Sequence, residues 1–159
     1  MTRVCFVCLG NICRSPIAEV VLRRLLLSTD LDVEVSSAGT GDWHVGRPAD
    51  DRAQAALRRH GYDGSGHIAR QFDPAEFADL DLVVAMDRSN LRDLRRMSPP
   101  DALARIRLLS SFDSDAVDED VPDPYYGGSD GVDDVVALVE RGCRGLVAEL
   151  QRQRDTPDA

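Results

Sequence analysis

The fold class to expect is α/β: a single domain built on a four-stranded parallel sheet with helices on both faces. Three observations point to it. The chain has 159 residues, the length of one ordinary domain. Its apolar runs are short, partly β-branched and bounded by glycine, proline or charged residues. Those runs alternate with stretches of helical spacing, as strand–helix–strand crossovers do.

Taken in order, residues 3–8 (RVCFVC) read as a buried first strand stopped by glycine. Ser15 and Pro16 read as an N-cap and a proline at the first helical position. Ile17, Val20, Val21 and Leu25 carry that helix to about Ser28. Residues 31–36 (LDVEVS) alternate as a second strand, and the glycine-rich loop SAGTGDWHVGRP follows. Residues 49–60 form a short helix stopped by Gly61, then GYDGSGH is a loop and DPAEFAD a helical turn. Residues 80–86 (LDLVVAM) are the third strand, and residues 87–97 a loop and helix closed by Pro99 and Pro100. Residues 106–109 give a fourth strand, and residues 110–129 a long acidic loop. Residues 130–152 form an amphipathic helix in which Gly142 and Gly145 lower the propensity. The domain is expected to span residues 1–152, with a short frayed tail at 153–159.

The formal net charge of −9 argues against nucleic-acid and anionic-membrane partners, which require a basic footprint. The first apolar run, residues 4–9, is too short for a signal peptide or a membrane span. A cytoplasmic monomer is the expectation, although signal-less export leaves no mark that this reading detects. Four cysteines without a secretory signal read as free or reactive thiols rather than disulfide staples.

Ligands of parallel sheets bind beyond the carboxyl ends of the strands, at the topological switch point. That singles out the loop CLGNICR. Cys8 ends a strand, and Arg14 is followed by a helix start. A loop of this length can turn successive N–H groups inward, and the helix N-terminus adds its positive dipole end. Arg14 adds a planar fork for two oxygens of a phosphate. Thiols in such surroundings ionise readily, so Cys8 is poised to attack an electrophile bound as an oxyanion, such as a phosphoryl group.

Competing motifs fit less well. No Gly-Lys-Ser or Gly-Lys-Thr supplies a Walker loop. Gly39 and Gly41 lack the third glycine of a dinucleotide fingerprint, with His44 in its place. Cys5 and Cys8 are three apart on a strand and face opposite ways, unlike a zinc pair or a thioredoxin-type site. No metal or cofactor is expected. Cys13, five residues from Cys8 around a tight turn, is placed to capture an oxidised Cys8 as a disulfide. Asp123 stands out among Asp113, Asp115, Asp118, Glu119 and Asp120, because Pro122 and Pro124 fix its backbone.

The segments CLGNICRSP, SSAGTGDW, HIARQF, AMDRSNLRDL and DPYYGG, in this order, resemble the low-molecular-weight protein tyrosine phosphatases along nearly the whole chain. The resemblance implies a flavodoxin-like sheet of order 2-1-3-4. It implies phosphotyrosine-containing proteins as substrates and inorganic phosphate as product. It makes Cys8 the nucleophile and Asp123 the general acid. Arg14 and the backbone of Leu9, Gly10, Asn11, Ile12, Cys13 and Ser15 would bind the phosphate, so positive potential needs no metal. The Ser15 hydroxyl would also donate to the thiolate, and Asn11 would hold the loop in shape. Ser37 and His67 would support it, with His67 partnering Glu19, and Asp87 would act from the rim. Trp43, Tyr125 and Tyr126 would form aromatic walls deep enough for phosphotyrosine and too deep for phosphoserine.

Three other readings share these features in part. The protein arginine phosphatase branch resembles this chain but carries threonine where Ile12 stands. An arsenate reductase needs further cysteines as a relay, and only Cys143 lies downstream. A phosphotyrosine-binding module without catalysis needs neither Cys8 nor Asp123.

Overall fold

The computed structural model describes residues 1–124 and 129–156. Strand β1 (Thr2–Cys8) is central, which its sequence demands: from Val4 to Cys8 there is no polar face. It pairs in parallel with β2 (Val33–Gly39) on one side and β3 (Leu82–Ala85) on the other. Strand β4 (Ile106–Leu108) completes the order β2-β1-β3-β4. Cys8 is opposite Gly39 and Val7 opposite Ala85, so three strands end at about the same level. The chain leaves β1 toward β2 and returns to β3 on the other side. The loop after β1 therefore opens on the switch point.

Alternation along β1 divides the core in two. Val4, Phe6 and Cys8 pack under helices α1 (Arg14–Leu26), α2 (Asp51–Arg59) and α4 (Ser129–Asp155). Cys5 and Val7 pack under α3 (Arg88–Met97), with Phe77, Leu94 and Ala102. Among the described residues no helix is long and apolar enough to cross a membrane.

Several boundaries differ from expectation. Strand β2 begins at Val33 and runs to Gly39, so SAG belongs to the sheet rather than to the following loop. Helix α2 starts at Asp51 because Asp50 caps it, accepting from the N–H groups of Arg52 and Ala53. The acidic stretch opens with a 3₁₀ turn, Leu109–Phe112. Helix α4 runs to Asp155, and its glycines have a positive use. A Cβ at Gly142 would lie 2.6 Å from Leu109 Cγ, and one at Gly145 would lie 1.8 Å from the Phe112 carbonyl oxygen. They let the 3₁₀ turn press directly on the helix.

Candidate active site

The loop from Cys8 to Arg14 takes its shape from Asn11. This residue adopts the left-handed φ of 56°, which asparagine tolerates better than most, and it is fully buried. Its Nδ2 donates to Ser15 Oγ at 2.8 Å and to Ser37 Oγ at 3.0 Å. Its Oδ1 accepts from the Arg70 N–H at 3.0 Å. Its carbonyl accepts from His67 Nε2 at 2.6 Å, which fixes the proton on that nitrogen, since a carbonyl can only accept.

Neighbouring carbonyls are tied outward as well. Those of Cys8 and Leu9 accept from the N–H groups of Thr40 and Gly41, both at 2.9 Å, and that of Ile12 from Asp50 at 2.8 Å. In a trans peptide each carbonyl is opposed to the next N–H. The N–H groups of Leu9, Gly10, Ile12 and Cys13 are therefore turned away from these anchors, toward the cavity side.

Ser15 corrects the expected N-cap. Helix α1 begins at Arg14 with Cys13 at the cap position and no side-chain cap bond, so Ser15 lies inside the first turn. Pro16 still fits there, because first-turn N–H groups lack an intrahelical acceptor. With no side-chain cap, the helix start remains open to an anion. The Ser15 hydroxyl instead lies 2.9 Å from Cys8 Sγ and 3.4 Å from the Ala38 carbonyl. Asn11 already donates to its oxygen, so the Ser15 proton is available for the sulfur, the nearer acceptor.

Arg14 is 3% exposed. Its Nη1 donates to Asp87 Oδ2 at 2.6 Å and to the Val121 carbonyl at 3.0 Å, and its Nη2 lies 3.5 Å from Asp123 Oδ2. Burial pulls its pKa down, but the charge on Cys8 and the bond to Asp87 outweigh it, so the pKa is raised and the guanidinium stays charged. Asp87 stands two residues past β3 and uses its other oxygen to cap α3, accepting from the Asn90 N–H at 2.7 Å.

Beside them lies a cavity of about 350 Å³. Cys8, Cys13 and Arg14 line it together with Leu9, Gly10 and Ile12, and Trp43, His44 and Asp123 complete the wall. Burial, with the nearby Cys8 charge, pushes the Cys13 thiol up to about 12 and keeps it protonated. Cys5 lies in the opposite core layer, and Cys143 is buried on α4 beside Ala18. Such a site can bind an oxyanion, present a sulfur to its central atom and keep a carboxyl within reach.

The structure thus brings Cys8, Arg14, Asp123 and Trp43 to one cavity, with Asp87 behind Arg14 and with Asn11, Ser15, Ser37 and His67 bonded around its loop. It does not pair His67 with Glu19: Glu19 pairs with Arg23 at 3.1 Å, one turn along α1, while His67 bonds Asn11. Tyr125 and Tyr126 lie outside the described residues. Sequence reading missed His44, the Val121 carbonyl and the Arg70 N–H. Only His44 had a signal, its position directly after Trp43.

The family model described as low molecular weight phosphotyrosine protein phosphatase matches residues 3–156. A relative from Streptomyces coelicolor, a low molecular weight protein-tyrosine-phosphatase, is 51% identical over 95% of this chain and 94% of its own. A crystal structure of protein tyrosine phosphatase from Entamoeba histolytica superposes with a TM-score of 0.93 at 33% identity, covering 97% of this chain and 99% of that one. A crystal structure of a Drosophila arginine phosphatase superposes with a TM-score of 0.87 at 34% identity, covering 99% of this chain and 100% of that one.

Proposed function

The chain belongs to the low molecular weight phosphotyrosine protein phosphatase family, enzymes that hydrolyse phosphomonoesters, and from that premise we propose that it dephosphorylates phosphotyrosine in proteins through a cysteinyl-phosphate on Cys8. The loop N–H groups and Arg14 hold the phosphoryl oxygens. The Cys8 sulfur forms a bond to phosphorus as the bond to the tyrosyl oxygen breaks. Asp123 gives its proton to that oxygen, so tyrosine leaves neutral. Asp123 then takes a proton from water, the water oxygen bonds to phosphorus, and the S–P bond breaks to release phosphate and the thiolate. Ser15 donates to the sulfur and makes it a better leaving group in this second step.

The observation that carries the reading is one cavity holding Cys8 Sγ 2.9 Å from the Ser15 hydroxyl and Arg14 3.5 Å from Asp123. The arsenate reductase alternative lacks support, since Cys143 is buried on α4 in the core, away from this wall. The test is phosphate release from phosphotyrosine, phosphoserine and phosphoarginine peptides. Phosphotyrosine should be preferred, and Cys8→Ser should abolish turnover yet retain phosphate binding. Turnover in Cys8→Ser within tenfold of the native protein would remove the cysteinyl-phosphate.

A second reading, phosphoarginine hydrolysis, is favoured by the likeness to the Drosophila arginine phosphatase. Ile12 lines the cavity, so its side chain is placed to act on selectivity. If it does, Ile12→Thr shifts the activity ratio toward phosphoarginine. An unchanged ratio assigns selectivity to the other walls.

A further inference from the structure

Trp43 is 68% exposed, yet it is not loose. A Cβ on Gly41 would fall 2.0 Å from its Cζ3 and 2.3 Å from its Cε3, so the indole lies directly against the Gly41 backbone. Held there, it lines two cavities. One is the catalytic cavity. The second, of about 360 Å³, lies between residues 40–43 and the C-terminal half of α3. Leu9 and Trp43 are walls of both.

We propose that the second cavity receives the side chain two residues away from the phosphotyrosine of the substrate, and that it selects an apolar one. This rests on the phosphotyrosine reading above. In an extended segment, residues i and i±2 point to the same face about 7 Å apart. A substrate can therefore straddle the Leu9–Trp43 wall, with phosphotyrosine on one side and the second residue on the other. The chemistry of the cavity names the occupant. Leu9, Trp43 and Met97 give it apolar walls. Its charged groups, Asp93 and Arg96, are paired with each other, so neither is left over for a charged visitor. An acidic side chain would add a further negative charge beside Asp93.

The experiment uses phosphotyrosine peptides that are identical except for leucine or aspartate two residues before or after the phosphotyrosine. It reads kcat/KM from phosphate release. The native protein is expected to prefer leucine by about tenfold at one of the two positions, the scale on which apolar pockets discriminate. Met97→Lys, which removes an apolar wall and adds a cation, should bring that ratio to unity or below. Arg96→Glu, at an exposed position, should raise it. Equal kcat/KM for leucine and aspartate at both positions overturns the proposal, as does a ratio that neither variant moves. Failure of the native protein to release phosphate from any of the peptides is a different result: the phosphotyrosine reading has then failed, and the subsite falls with it.

Discussion

Gly39→Ala is the most direct probe of how stiff the Cys8–Arg14 loop is. Gly39 does not require a left-handed φ, so alanine fits its backbone, and the problem is space. The new Cβ would lie 2.7 Å from the Leu9 carbonyl oxygen and 3.1 Å from Asn11 N, where ordinary contact begins at 3.4 Å. The strand cannot retreat easily: Gly39 N–H donates to Arg70 at 2.9 Å, and its carbonyl accepts from Phe72 at 2.7 Å. The loop backbone must therefore shift by about 0.7 Å against the Asn11 anchors. A misplacement of about 1 Å in a preorganised site costs on the order of 100-fold. A loss of about 30- to 100-fold in kcat/KM is expected, or about 2–2.7 kcal/mol of transition-state stabilisation. The assay is hydrolysis of nitrophenyl phosphate, with the inhibition constant of inorganic phosphate and a melting curve in parallel. The fall should lie mainly in kcat, with cooperative unfolding retained. A kcat/KM within threefold of the native value would refute the claim that the loop is rigidly held.

Asp123→Asn should lower phosphotyrosine hydrolysis by about 10²–10⁴-fold and nitrophenyl phosphate hydrolysis less, because nitrophenolate leaves without a proton more readily. Asp120→Asn serves as control, since Asp120 is engaged by Arg88 at 2.9 Å; an equal loss there would mean that the acid is misassigned. Peroxide should inactivate the native protein reversibly through capture of Cys8 by Cys13. Recovery with a thiol should be poorer in Cys13→Ser, and equal recovery of both proteins rules out protection. Gly145→Ala should destabilise the fold by about 1–3 kcal/mol through overpacking against Phe112, read from the urea midpoint, and an unchanged midpoint would show that the 3₁₀ turn yields freely. Burial raises the Cys5 thiol from 9.0 to about 12, so its contribution to stability is full below pH 9 and is lost as pH rises toward 12. The decline should be flatter in Cys5→Ala, and parallel curves would count against burial as the cause.

The parallel sheet and the positions of Cys8, Arg14 and Asp123 are legible because short-range signals carry them, whereas the strand order and the role of Asn11 rest on the resemblance to the family. An apolar run ending in a cysteine and a glycine, then an arginine before Ser-Pro, has few other uses. The role of Ser15 was half legible. A serine before proline at a helix start reads as a cap wherever its hydroxyl points, and that direction depends on Asn11, itself held by Ser37 of β2. The partner of His67 was misread for a similar reason. Glu19 meets Arg23 by helical spacing alone, whereas the bond from His67 to Asn11 closes 56 residues of chain. Gly142 and Gly145 showed only lost propensity in the sequence, because the turn that presses on them lies some thirty residues earlier.

The ties around residues 39–50 separate what is fixed from what is free to vary. Gly41 N–H is bonded to Leu9, and Gly46 N–H to Ala69. Between these two rivets, residues 42–45 make a short excursion that carries Trp43 and His44 to the cavity wall. The backbone carbonyls of the Cys8–Arg14 loop are tied by residues outside that excursion, Thr40, Gly41, Asp50 and His67. Mutational drift in this excursion, in sequence or even in length, can reshape what the enzyme accepts while those backbone ties stay in place. The fold thereby offers evolution a replaceable jaw on a permanent handle, and one ancestral chemistry can be passed to new clients a few residues at a time.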